Sequence, residues 1–140
     1  MEPTIYLFFK GNCLEAMTHY ADTLGGEVMG VMRNGDASPD QRMPGGDDMV
    51  MNMAMQLGSA MVMASDNSDE MYDRPQGFYI HIDTPSPAEF DRVHGALSDG
   101  AESVAMAPGE TFWADRFAMF RDRFGTPWMI SHTGSKAHQA

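Results

Sequence analysis

The sequence predicts an α+β fold built from two tandem βαβββ modules, because each half of the chain repeats the same order of elements. An aromatic and aliphatic run typical of a buried strand opens each half, at Ile5–Phe9 and at Phe78–Ile82. A residue that favours helix N-caps follows each run, and the two, Asn12 and Ser86, are 74 residues apart. A helix and three further strands then follow in both halves, which indicates an internal duplication.

In the first half, a helix is predicted over Cys13–Leu24. Glu15 stands in the capping-box position relative to Asn12, and Gly25 ends the helix by accepting a positive φ. Four apolar residues recur at helical spacing on one face: Met17, Tyr20, Ala21 and Leu24. The three strands predicted after this helix are Glu27–Arg33, Met49–Leu57 and Ala60–Ser65.

The second half repeats this pattern. A helix is predicted over Pro87–Ser98, with Glu89 completing a capping box with Ser86. Its apolar stripe is Phe90, Val93, His94 and Leu97. A strand at Glu102–Met106 and a closing hairpin over Phe112–Ile130, turning at Asp122–Gly125, complete the module.

These elements give a single domain over residues 1–133. Module 1 covers about residues 4–65 and module 2 about residues 77–131. Residues 34–48 are rich in Gly, Pro and Asp and are predicted to form a loop that covers a site or is disordered. Residues 66–76 are interpreted as a linker, and residues 134–140 as a flexible tail.

Composition excludes several classes of partner. The formal net charge is −11, so neither a nucleic-acid-binding nor an anionic membrane-binding surface is expected. The single cysteine, Cys13, excludes an internal disulfide, and no apolar run reaches membrane-spanning length. The start Met1-Glu2-Pro3-Thr4 lacks the basic region of a signal peptide, so a cytoplasmic location is predicted.

Three sequence motifs resemble those of one protein superfamily. They are Tyr6-Leu7-Phe8-Phe9 followed by Gly11-Asn12-Cys13 and Glu15-Ala16, then Glu110-Thr111-Phe112-Trp113-Ala114-Asp115-Arg116-Phe117, and Asp122-Arg123-Phe124-Gly125-Thr126-Pro127-Trp128-Met129-Ile130. With the duplicated modules, they resemble the vicinal oxygen chelate superfamily (glyoxalases, bleomycin-resistance proteins and dioxygenases), and specifically its PhnB-like branch. The resemblance implies a cupped eight-stranded mixed sheet with helices on the convex side, a cavity on the concave side, and a homodimer.

The resemblance also implies where a metal would be held, on the first and last strand of each module. These positions are Thr4 or Ile5, Val62, Gly77 or Phe78, and Met129. None is a usual ligand for a divalent ion that activates oxygen, so no cofactor is predicted and the question of an enzyme stays open. The sequence also shows no glycine-rich methyl-donor loop and no phosphate-cradling loop.

Five residues are candidates for binding a small organic molecule. They are Glu110, Phe112, Trp113, Arg116 and His81. The aromatic residues could form one wall of a cavity while Arg116 binds an anionic group, or the charged residues could form a structural salt bridge beside core aromatics. The methionines of residues 49–63 are either core or a soft cavity wall, and Cys13 is interpreted as a small buried hydrophobic residue.

Three functions are compatible with this pattern. The first is a metal-free binding protein that holds a partly aromatic or cationic small molecule in a cavity lined by aromatic residues and methionines. The second is a divergent glyoxalase-like lyase or isomerase, or an enzyme that uses Glu110 or His81 without a metal. The third is a structural or assembly role without a ligand. Neither the ligand nor a reaction follows from the sequence.

Overall fold

The computed structural model describes residues 1–139 and confirms the two tandem βαβββ modules. The first module consists of β1 (Ile5–Phe9), α1 (Cys13–Leu24), β2 (Glu27–Arg33), β3 (Val50–Leu57) and β4 (Ala60–Asp66). The second consists of β5 (Ile80–Asp83), α2 (Pro87–Ser98), β6 (Ser103–Gly109), β7 (Arg116–Arg121) and β8 (Pro127–His132). The chain divides into two compact units, Met1–Arg74 and the residues from Pro75 onward.

Both modules form the same kind of mixed sheet. The strand order is β1-β4-β3-β2 in the first and β5-β8-β7-β6 in the second. The first strand of each module pairs in parallel with the fourth, and the other pairs are antiparallel. The two helices have the predicted bounds, and each bound of α2 lies 74 residues after its counterpart in α1.

The core of each module lies between its helix and one face of its sheet. In the first module Leu7, Ala64 and Met53 are aligned across three strands and are at most 3 % exposed. In the second module Ile80, Trp128 and Phe120 are aligned in the same way and are all buried. Because side chains alternate along a strand, every second residue of these strands lies on the opposite sheet face.

The methionines divide between these two faces of the first sheet. Met53 and Met55 are buried with Met17 of α1, so the core interpretation is confirmed for them. Met61 and Met63 flank the buried Val62 on β4 and lie on the other face.

The predicted N-cap hydrogen bond is present in the second module only, and there the Glu89 carboxylate pairs with Arg92 instead of completing the capping box. The Ser86 hydroxyl accepts a hydrogen bond from the Glu89 backbone N–H at 3.1 Å. Asn12 makes no side-chain cap, so that prediction is wrong. The carboxylate of Asp66 accepts bonds there instead, from the backbone N–H groups of Gly11 at 2.8 Å and Cys13 at 3.0 Å.

Several boundaries differ from the sequence prediction. β3 begins at Val50 and not at Met49, β6 is Ser103–Gly109 and not Glu102–Met106, and β7 begins at Arg116 and not at Phe112. Asp66 belongs to β4 and not to the linker, and β5 begins at Ile80, so Phe78 precedes the strand. The segment expected to be a flexible tail contains a 3₁₀ helix at Gly134–Gln139, while Ala140 lies outside the described residues. Among residues 1–139 no helix is long and apolar enough to cross a membrane.

Candidate functional site

One row of side chains crosses all four strands of the second sheet on the face away from α2. The methionine row consists of His81, Met129, Met119 and Met106, each directly opposite the next in the strand register. Trp128 and Ile130 flank Met129 on β8 and are buried on the other face. Strand alternation therefore directs the methionine row away from the core beneath α2.

A cavity of about 440 Å³ lies at the His81 end of this row. It is lined by His81, Trp113, Phe117, Met129, Ser131 and Thr133. Three of the six are aromatic rings or a thioether with large apolar surfaces, and three carry an imidazole or a hydroxyl group. None of these six lining residues is an Asp, Glu, Lys or Arg. The cavity therefore combines apolar walls with a few uncharged polar groups, as small-molecule sites usually do.

The polar groups of the cavity are held by specific hydrogen bonds. The His81 Nε2 atom lies 2.8 Å from the Ser131 hydroxyl oxygen, which fixes the imidazole ring over β8. The Thr133 hydroxyl donates to the Asp83 carboxylate at 2.9 Å. An imidazole can donate or accept a hydrogen bond according to its tautomer, so His81 suits a ligand of either kind.

Trp113 forms the wall of the cavity that comes from outside the strands. It lies in the loop between β6 and β7, where the Thr111 hydroxyl accepts bonds from the N–H groups of Trp113 at 3.3 Å and Ala114 at 3.0 Å. Its indole packs edge-to-face on Phe112 and Phe117, with centroid distances of 4.7 Å and 5.2 Å. Trp113 remains 42 % exposed, so it is not a core residue.

The structure brings together only two of the five candidate binding residues at this cavity, His81 and Trp113. Phe112 is 77 % exposed and supports Trp113 from behind without lining the cavity. The charged candidates have other partners: Glu110 forms an ion pair with Lys136 at 3.3 Å.

Arg116 faces the helix side of the second sheet. Its guanidinium forms an ion pair with Asp91 of α2 and lies over the Phe90 ring, 5.9 Å from the centroid. Because neighbouring side chains on a strand point to opposite faces, Arg116 and the cavity residue Phe117 are directed apart. The arrangement proposed from sequence, with Arg116 gripping an anion beside Trp113, is therefore not present.

Sequence reasoning did not identify Phe117, Ser131 and Thr133 as lining residues. The sequence signal that could have identified Ser131 is strand alternation, because Ser131 lies two residues after Met129 and therefore on the same sheet face. Met129 is in turn opposite His81 in the parallel β5–β8 pair. Finding it requires knowing that the first strand of a module pairs with its fourth in this register, which single-sequence patterns do not specify.

The positions implied for a metal fall at different places. Thr4, Ile5 and Val62 line a cavity of about 430 Å³ in the first unit, but Val62 itself is 8 % exposed and faces the core. Phe78 precedes β5, and Met129 lies in the methionine row. Residues 1–139 hold no group of three or more His, Cys, Asp or Glu side chains suited to a metal ion.

Cys13 does not belong to a reactive site. Its side chain is fully buried at the start of α1, and burial, reinforced by the nearby Asp66 carboxylate, raises the pKa of the thiol well above its usual range. A thiol that stays protonated is a poor nucleophile, so the interpretation as a small buried hydrophobic residue is confirmed.

With this geometry in hand, comparison with known proteins defines the family. Residues 2–131 match the model of the family described as 3-demethylubiquinone-9 3-methyltransferase. The chain belongs to this family, which is the PhnB-like family.

Relatives and solved structures agree with this assignment. The chain is 30 % identical to Protein YjdN of Escherichia coli (strain K12) over 90 % of this chain and 91 % of that protein. It is 40 % identical to protein PA1353 from Pseudomonas aeruginosa, with a TM-score of 0.83 over 94 % of this chain and 97 % of that one. A putative 3-demethylubiquinone-9 3-methyltransferase, PhnB protein, from Bacillus cereus is 23 % identical, with a TM-score of 0.76 over 94 % and 99 % of the two chains.

The wider fold is that of the vicinal oxygen chelate superfamily. A glyoxylase/bleomycin resistance protein/dioxygenase domain from Frankia sp. EAN1pec aligns with a TM-score of 0.63 at 12 % identity, over 95 % of this chain and 97 % of that domain. At that identity the likeness concerns the fold alone.

Proposed function

We propose that this protein binds a small aromatic molecule in the cavity of its second unit, without a metal ion. The observation that carries the proposal is the convergence of the Trp113 and Phe117 rings, the Met129 thioether and the fixed His81 imidazole on one cavity. The two rings and the thioether offer apolar surface to a planar ligand, and His81 offers it one hydrogen bond.

Charge narrows the class of ligand further. The lining residues carry no Arg or Lys to pair with an anion, and the chain has a formal net charge of −11. A field of this sign repels anions and attracts cations, and the exposed indole face also favours a cation. The ligand is therefore aromatic and carries no negative charge.

A thermal-shift screen tests this proposal, since a ligand that binds the native state raises its stability. The screen contains neutral and cationic aromatic compounds, matched aromatic carboxylates, divalent metal salts and S-adenosylmethionine. We expect stabilisation by compounds of the first group only. Stabilisation by S-adenosylmethionine would instead favour the methyl transfer named in the family description.

The Trp113→Ala variant tests whether the ligand binds in this cavity, and Phe112→Ala is its matched control. Loss of the aromatic wall should weaken the affinity for a ligand from the screen by about 1–3 kcal/mol. Because Trp113 is 42 % exposed, we expect little change in the urea midpoint. Phe112 is adjacent and more exposed but does not line this cavity, so its removal should change the affinity less. A large loss of stability with unchanged affinity would remove Trp113 from the site.

Metal independence is tested by elemental analysis of protein purified without chelator. We expect no stoichiometric Zn, Ni, Mn or Fe. One divalent ion per chain, lost on His81→Ala, would contradict the metal-free proposal.

One observation favours a second candidate, an enzyme that uses His81 as a base. The hydrogen bond to Ser131 orients the imidazole, and a positioned imidazole can take a proton from a carbon beside a carbonyl group. Incubating a panel of small ketones and aldehydes in D₂O and following their α-protons by NMR tests this. Exchange that is lost in His81→Gln would support an enzyme, and no exchange above buffer would leave the binding protein.

We also propose a homodimer. All seven residues of the edge strand β6 are exposed, including Val104 at 59 % and Met106 at 39 %. Unprotected strand edges of this kind are commonly covered by association. Light scattering that gives a monomer at high micromolar concentration would refute it.

A further inference from the structure

The residues after β8 attach to the loop that carries Trp113. The Ser135 backbone N–H and hydroxyl both donate to the Asp115 carboxylate, at 2.8 Å and 2.7 Å. The Asp115 backbone N–H in turn donates to the Thr133 carbonyl at 3.3 Å. These three hydrogen bonds fasten the C-terminal end of the Trp113 loop. The two that Ser135 donates to the carboxylate hold the pKa of the Asp115 carboxyl below its usual range.

Lys136 fastens the other end of the same loop. Its ammonium donates to the Thr111 carbonyl and forms an ion pair with the Glu110 carboxylate at 3.3 Å. The Lys136 side chain is only 18 % exposed, whereas the Glu110 side chain is 68 % exposed. The lysine is therefore enclosed by the loop and does not extend into solvent.

Gly134 is the residue that permits this close approach. Its φ is +57°, and a Cβ added there would lie 2.2 Å from the Asp115 Oδ2 atom and 3.0 Å from the His132 Nε2 atom. No side chain fits that space without moving Asp115, because real Cβ contacts do not come so close. The sequence expectation of a flexible tail missed these contacts, since their partners lie about twenty residues away along the chain.

We propose that Thr133–Lys136 form a C-terminal clamp that positions the indole of Trp113 over the cavity and so sets its affinity for ligand. The proposal rests on the proposed function of that cavity. Trp113 lies between the two fastened ends, Thr111 and Asp115. The ring contacts described for the indole are those with Phe112 and Phe117. If the clamp were lost, these two contacts would remain to hold the indole in place. A wall that is mobile before binding must be ordered by the ligand, and this cost weakens affinity.

Gly134→Ala tests the clamp, and Gly58→Ala is its matched control. Gly58 has a φ of +60° and nothing within 4 Å of an added Cβ, so it imposes the same backbone strain without the collision. Quenching of tryptophan fluorescence by acrylamide reports mainly Trp113, because Trp128 is 2 % exposed. We expect stronger quenching and a red-shifted emission in Gly134→Ala, and neither change in Gly58→Ala.

Binding of 1-naphthol, measured by calorimetry, gives the second readout. We expect Gly134→Ala and Lys136→Met to weaken binding by about three- to tenfold. Lys136→Arg keeps a cation and donors at the same place and should restore most of the affinity. Lys136→Met also keeps the clamp testable if Gly134→Ala fails to fold.

The outcomes separate the clamp from the proposed function. Unchanged quenching in both Gly134→Ala and Lys136→Met overturns the clamp, even if the wild type binds 1-naphthol. Increased quenching with an unchanged affinity for 1-naphthol overturns the proposal that the clamp sets the affinity of the cavity for its ligand. Increased quenching in a protein whose wild type binds no compound of the screen supports the hold on Trp113 and refutes the proposed function.

Discussion

The two modules share a backbone plan but use different residues to hold it, and the two buried carboxylates show this best. Asp66 accepts hydrogen bonds from the N–H groups of Gly11, Cys13 and Val50. It thus joins the end of β4 to the start of α1 and the start of β3, across as many as 55 residues of sequence. In the second module Asp122 accepts from Phe124 N, Thr126 N and Trp128 Nε1, all within six residues.

The two modules also differ in the side chains on the sheet face that points away from the helix. In the first module a row on the sheet face away from the buried Leu7 and Ala64 runs through Tyr6, Met63, Ala54 and Met29. It begins with a phenol hydrogen-bonded to Asn52 at 3.1 Å, whereas the row in the second module begins with the imidazole bonded to Ser131. A duplicated backbone therefore fixes where side chains point, while the polar group at the head of each row has diverged.

The largest expected effect concerns the two carboxylates. Asp66→Ala leaves three N–H groups without an acceptor at the junction of three segments, two of them buried (Cys13 and Val50), and should lower the free energy of unfolding by about 3–5 kcal/mol. Asp122→Ala should cost less, about 2–3 kcal/mol, because the three donors described for it lie within six residues of it, so their loss disturbs one segment of chain and not the junction of three. Urea denaturation of both variants measures the difference. An equal or larger loss for Asp122→Ala would show that long-range joining is not what makes Asp66 important.

An intermediate effect is expected at the loop of the first module. The buried Asn34 side chain donates to the carbonyls of Met43, Gly45 and Gly46 and accepts from the Met43 N–H. Residues 34–48, expected from sequence to be a cover or disordered, are therefore organised around one amide. Asn34→Ala should cost about 2–3 kcal/mol of stability by leaving those groups unpaired.

Hydrogen exchange measured in the Asn34→Ala variant tests this role, and the Trp113 loop of the second module serves as the internal control. Hydrogen exchange should become faster in residues 35–47 and stay unchanged around Trp113, which is fastened by the C-terminal clamp. Unchanged exchange in residues 35–47 would mean that the loop is held by something other than Asn34.

The smallest effect is a pH dependence confined to the second module. His94 stacks on Phe90 and meets Phe120 edge-on, with centroids 5.8 Å and 5.5 Å away. Burial lowers the pKa of His94, and the neighbouring Asp91 opposes that shift only in part. Arg116, which pairs with Asp91 and lies over the Phe90 ring, is a further charged group beside these rings.

The sign follows from the lowered pKa. The folded state binds a proton at His94 less readily than the unfolded state does. The contribution of neutral His94 to the free energy of unfolding is therefore fully present above the unfolded pKa of about 6.5, and it is lost as the pH falls through the pKa of the folded state. Because His94 is only partly buried, we expect less than about 1 kcal/mol between pH 7.5 and pH 5. His94→Gln should flatten this part of the profile. A profile unchanged by His94→Gln would assign the pH dependence to another group.

Local sequence features predicted the elements well where their partners are close in sequence. Both helices have the predicted bounds because an N-cap region and a residue accepting positive φ act within one turn, as Gly25 does at φ +73°. The Asp122–Gly125 turn is local in the same sense, whereas the predicted alternation of β3 holds only from Met53 onward, since Val50 is buried together with Met53 and Met55. The N-cap at Asn12 was wrong because Asp66, 53 residues from Cys13, provides the acceptor there.

By itself the sequence determined the two βαβββ modules, the two helices and the family, since these depend on periodicity, caps and motifs within short stretches. Only the tertiary structure decided which side chains share a cavity. His81 meets Met129 and Ser131 through the β5–β8 register, and Arg116 lies on the helix side while Phe117 lines the cavity. It also decided that residues 133–136 fasten the Trp113 loop. The reason is physical: a strand pattern gives each residue a face, but pairing between distant strands determines which residues on that face become neighbours.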